Sequence, residues 1–121
     1  NQEEMEDMTE ELIDRFGDIP KKVEVLLEVA ALKALAHSVY VTAVEQKGER
    51  YTFLMYEKAK VHPEKIPKLI SDFKGELIFK ADVDQPCFMY EKKRRNKKEK
   101  NSDVLEIVKK VLIGIKGLIE P

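Results

Sequence analysis

The chain has 121 residues, 37% of them charged, with 22 Lys and Arg against 23 Asp and Glu and a formal net charge of −1. That length suits one domain with a single core, and the balanced charge excludes a chain drawn to nucleic acid by its overall field. Cys87 is the sole cysteine, so no internal disulfide can form and a reducing, cytoplasmic compartment is expected. No run approaches the ~20 apolar residues that span a bilayer, and the acidic N-terminus lacks a signal-peptide pattern, so no membrane partner is expected.

The pattern from Asn1 onward is already helical, without a leading Met, which suggests a segment of a longer protein. Met5, Met8, Leu12 and Phe16 fall on one stripe of a helix, with Ile13 at its border. Asp7, Glu11 and Asp14 lie on the opposite side. Gly17 suits the helix stop, and Pro20 suits the first turn of a second helix over 20–38. That second helix is apolar on two sides: Val23, Leu26, Leu27, Ala30 and Ala34 on one, Val25, Val29, Leu32 and Ala36 on the other. So wide an apolar surface predicts a helix sandwiched between the first helix and a sheet.

Residues 39–45 and 51–56 are rich in β-branched and aromatic side chains and predict two strands joined by a hairpin at Lys47-Gly48-Glu49. A short helix is expected over 63–73, where Pro67 costs a hydrogen bond unless the helix starts near Glu64 or Ile66. Residues 76–81 and 87–90 predict a second strand pair. The run Lys92-Lys93-Arg94-Arg95-Asn96-Lys97-Lys98-Glu99-Lys100 predicts a basic loop over 92–102. A last helix over 103–119 follows, capped by Ser102 or Asp103, with Val104, Val108, Val111, Ile115 and Leu118 as its stripe and Gly114 and Gly117 weakening its end. The expected fold is α+β: a helical hairpin at 1–38 and a C-terminal helix packed on a small, mainly antiparallel sheet at 39–91, all within one domain over 1–121.

Catalytic chemistry finds little support. The glycines form no phosphate-cradling loop, and no Cys or His pair stands at metal-ligand spacing, so neither cofactor nor metal is expected. His37, on an apolar helix, reads as a packed, hydrogen-bonded side chain; His62, before Pro63, as part of a loop or cap; Cys87 as a small buried hydrophobe. Two charged surfaces remain. The basic run is either a solvated loop or, through Lys93, Arg94, Arg95 and Lys97, a phosphate-contacting module that binds nucleic acid with strong salt dependence. The acidic row is either an ordinary solvent face or a docking surface for a basic partner, which would offset the like-charge repulsion along Asp7, Glu11 and Asp14.

The stretch Glu11-Leu12-Ile13-Asp14-Arg15-Phe16-Gly17-Asp18-Ile19-Pro20 resembles the opening motif of the C-terminal domain of bacterial transcription-repair coupling factors, the Mfd family. The likeness continues through residues 25–33 and, more weakly, to about Tyr90, leaving the basic loop aside. The resemblance implies a parent that is a large ATP-driven DNA translocase, one that displaces stalled RNA polymerase and recruits the excision-repair protein UvrA. It implies that this domain is not an enzyme but a regulatory clamp. Such a clamp docks on the UvrB-homology module of the same parent, hides the surface UvrA binds and restrains the motor. Carried onto the motif, Glu11 and Asp14 become the acidic contacts to that module, Asp7 extends their row, and Arg15 steadies it or touches the partner.

Overall fold

The computed structural model describes residues 1–8, 20–81, 84–93 and 101–119. The chain divides into two compact units, Asn1–Ser38 and Val39–Pro121. In the first, residues 2–8 are helical (α1). Asn1 caps this helix: its side-chain oxygen accepts the Glu4 N–H at 2.9 Å, the spacing of a capping box. Met8, expected on the packed stripe, is 48% exposed. The proposed stop at Gly17 lies outside the described residues.

The second helix, α2, spans Lys21–Ser38. Pro20 stands just before it, and its carbonyl accepts the N–H groups of Val23 and Glu24 at 2.9 and 3.1 Å. A proline there spares every helical donor while its ring presets the chain's direction. Leu32 is buried, but Leu26 is 68% exposed although periodicity placed it on an apolar face. His37 is also exposed, which corrects the expectation of a packed imidazole. It sits in the last turn of α2, where a basic side chain is favoured near the helix's C-terminal carbonyls without burial.

The second unit is built on a four-stranded antiparallel sheet in the order β1-β2-β4-β3. β1 is Val41–Lys47, β2 Arg50–Met55, β3 Leu77–Lys80 and β4 Cys87–Glu91. The first hairpin is tighter than expected, because only Gly48 and Glu49 lie between the paired ends Lys47 and Arg50. Gly48 has φ of +59° and Glu49 does not share the positive φ, the signature of a type II′ turn with glycine at its first central position. β1 therefore runs two residues further than the residue types suggested. It is a sheet edge, and beyond Val41 its side chains are exposed, with Glu45, Gln46 and Lys47 discouraging further pairing.

Register sorts the sheet into two faces. Tyr51 pairs with Tyr90, Phe53 with Phe88, and Phe79 with Phe88, so these aromatics share one face, here called the inner one. Two helices of the same unit pack on it. A 3₁₀ turn at Pro63–Lys65 leads into α3 over Ile66–Asp72, which places Pro67 in the first turn, where its missing N–H costs nothing. α4 spans Asn101–Ile119 and starts two residues earlier than expected, so Ser102 and Asp103 belong to its first turn rather than to its cap. Its stripe is fully buried only in the C-terminal half: Val111, Ile115 and Leu118, with Leu112 beside them, are at most 2% exposed, while Val104 and Val108 are half-buried. Phe73 meets Tyr90 edge-on at 6.0 Å, Phe79 packs on Phe88 at 4.7 Å, and Lys110 lies 5.2 Å above the Phe73 ring.

Gly114 is what lets α3 and α4 approach: a Cβ there would come within 2.6 Å of Leu69 Cδ1 and 3.4 Å of Phe73 Cε1. It is a packing requirement rather than a weak end, since α4 continues to Ile119. Two backbone bonds tie loops to this core. Met55 N–H donates to the Pro86 carbonyl at 2.8 Å, and His62 N–H donates to the Leu118 carbonyl at 2.8 Å.

Candidate functional site

Of the acidic row, Asp7 lies exposed on α1, alongside exposed Glu3, Glu4 and Glu6. Glu11, Asp14 and Arg15 lie outside the described residues, as do Arg94, Arg95 and Lys97 of the basic run. The described acids are solvated: Glu3, Glu4, Glu6 and Asp7 are all exposed, and Glu6 Oε1 accepts from Gln2 Nε2 of the same helix at 3.3 Å.

Lys93 belongs to a larger arrangement that the linear pattern did not disclose. On the outer face of the sheet, Arg50 pairs across strands with Glu91, Ile78 with Met89, and Lys80 with Cys87. Arg50, Glu91, Ile78, Met89 and Lys80, with Gly75, Glu76, Lys92 and Lys93, surround an open groove of about 410 Å³. Ile78 and Met89 form its apolar floor, with Ile78 47% exposed. Arg50 Nε donates to Glu91 Oε2 at 3.1 Å, and the Lys93 backbone N–H donates to Glu76 Oε2 at 3.1 Å. Gly75, at φ +82°, takes a left-handed turn that glycine adopts without strain, and a Cβ there would meet Lys93 Nζ at 2.8 Å. The lysine side chain thus lies over the glycine and forms one wall. The alternation within β3 was the available signal, because Leu77 and Phe79 face the core while Ile78 and Lys80 face out. The contributions of Arg50 and Glu91 depend on register and were invisible in any single segment.

His62 Nδ1 lies 3.4 Å from Glu64 Oε1 at the start of the 3₁₀ turn, and His37 is on α2. Cys87 is buried, and burial pushes its thiol above the ordinary value while the Lys80 ammonium opposes part of that shift. Among the described residues no group of His, Cys, Asp and Glu could hold a metal ion. No helix among them is long and apolar enough to cross a membrane.

Comparison with known proteins supplies the family. A family model described as the TRCF domain matches residues 1–66. A transcription-repair-coupling factor from Staphylococcus epidermidis is 33% identical over 79 residues, covering 65% of this chain and 6% of that protein. The protein of the same description from Bacillus subtilis is 37% identical over 57 residues, 47% of this chain and 5% of its own length. The chain thus spans only about 6% of the length of the curated relatives it matches. A crystal structure of the C-terminal domain of a transcription-repair coupling factor superimposes with a TM-score of 0.62, covering 96% of this chain and 73% of that one. Its 23% identity makes it evidence for the α+β fold alone. With the family match running over more than half of its residues, the chain belongs to the TRCF-domain family, the C-terminal domain of transcription-repair coupling factors.

Proposed function

We propose that this domain is an autoinhibitory, non-catalytic interaction module of a cytoplasmic, ATP-driven DNA translocase. In this reading it docks on the UvrB-homology module of its own parent, masks the surface that UvrA binds and restrains the motor. The observation that carries the proposal is the acidic surface of the N-terminal segment. Asp7 is exposed on α1, and the motif holding Glu11, Asp14 and Arg15 lies within the 1–66 family match. Like charges along a helix cost a few tenths of a kcal/mol per pair, roughly 0.2–0.5, in an isolated domain. Across a close interface the same carboxylates can couple to basic partners by about 1.5–7 kcal/mol. Docking within one polypeptide also profits from high effective concentration, so a modest, polar and releasable interface suffices.

The test is charge reversal in the full-length parent. Glu11→Arg combined with Asp14→Arg should leave the domain folded while raising the affinity for UvrA at least about tenfold, equivalent to ~1.4 kcal/mol of lost masking. Unchanged UvrA affinity in a folded double variant would remove Glu11 and Asp14 from the interface.

A further inference from the structure

We infer that the groove on the outer face of the sheet is a docking site for an acidic peptide segment that also carries apolar side chains. Three observations converge on that chemistry.

The floor is apolar and open. Ile78 and Met89 are direct cross-strand partners, and Ile78 is 47% exposed on the face opposite the sheet's aromatics. Exposed apolar surface rimmed by charge marks an interaction site more often than isolated surface hydrophobes do.

The rim is positive. Lys80 stands at one side and Lys93 at the other, with Arg50 and Lys92 between the strand ends. The two acids of the groove already have donors: Glu91 accepts from Arg50, and Glu76 accepts from the Lys93 backbone.

The floor also decides between ligands of the same charge. Nucleic acid strands are held on flat sheets by stacking bases on aromatic rings. Here every aromatic of the four strands, Tyr51, Phe53, Phe79, Phe88 and Tyr90, sits on the inner face by register. A phosphate backbone gains nothing from Ile78 and Met89. A peptide alternating carboxylates with aliphatic side chains satisfies both floor and rim. This surface is opposite in charge to the acidic latch and lies in the other unit of the chain, so the two proposals fail independently.

The experiment is fluorescence anisotropy on the 121-residue chain. The probes are a short labelled peptide alternating Glu with Val, the same peptide with Lys for Glu, and a labelled DNA duplex. The acidic peptide should bind with an affinity that falls as salt is added, and the basic peptide should not bind. Lys80→Glu with Lys93→Glu should weaken the acidic peptide at least about tenfold. Ile78→Ser should weaken it about threefold at unchanged charge, as expected for loss of partly buried apolar contact. All three positions are exposed, and a circular dichroism melt verifies each variant's fold. Absence of acidic-peptide binding, indifference to both sets of substitutions, or preference for the duplex would each overturn the assignment.

Discussion

Cys87 faces the same side of the sheet as Leu54 and Lys80, yet it is only 6% exposed. The thiolate is the reactive species, and burial disfavours it more than Lys80 restores it. A thiol-directed disulfide reagent at neutral pH should therefore react slowly with the native protein and rapidly in denaturant. Equal rates in both would mean that β4 opens readily. The same shift has a sign for stability. The native state holds the thiol proton more tightly than the unfolded chain, so this contribution is complete below the unfolded-state value and is lost as pH rises through the folded one. Denaturant titrations should show stability declining on the alkaline side, with that part of the decline absent in Cys87→Ala. Residue type alone anticipated a buried cysteine. It misjudged His37, because an apolar helix has a solvent side whose direction no local pattern reveals.

Two glycines of α4 make opposite predictions. Replacing glycine by alanine inside a helix is worth about 1 kcal/mol from propensity. Gly117 has nothing within 4 Å of the added carbon, so Gly117→Ala should raise stability by nearly that amount. Gly114→Ala must displace Leu69, whose side chain is itself buried, and overpacking of this kind costs about 1–3 kcal/mol. It should lower stability despite the better propensity. Thermal melts of the two variants check both signs, and a stabilised Gly114→Ala would mean that α3 and α4 separate easily. The secondary-structure elements were mostly legible in the sequence: a hairpin at Gly48, though one residue longer than the turn formed, the second strand pair, the C-terminal half of the α4 stripe, and a helix start near Ile66 that accommodates Pro67. Their boundaries moved by one or two residues where hydrogen bonding overrode residue preference. The order β1-β2-β4-β3 was not legible, since β2 and β4 pair across more than thirty residues through contacts local patterning does not encode.

Across the whole molecule, charge is polarised along the sequence, acidic in residues 1–18 and basic in 92–100, while the total stays at −1. A linear pattern exposes such runs, and the motif at 11–20 tied one of them to a family. The outer groove escaped the same search because Arg50, Lys80 and Lys93 meet only after the sheet forms. The polarity also gives a control for the latch. Reversing Glu11 and Asp14 removes like-charge neighbours, so the isolated domain should keep its unfolding free energy within about 0.5 kcal/mol or gain slightly. A loss of several kcal/mol in a denaturant titration would assign those carboxylates to the fold instead of to a partner.

The bond from the His62 N–H to the Leu118 carbonyl joins a loop to the last turn of α4, filling an acceptor that helix ends otherwise leave open. His62 precedes the 3₁₀ turn and lies in no strand, so α4 is the source of that amide's protection. Its hydrogen–deuterium exchange becomes a clock for the seating of the C-terminal helix. The His62 amide should exchange in step with the end of α4 and more slowly than an open loop, and it should quicken in Leu118→Ala while the central strands keep their pace.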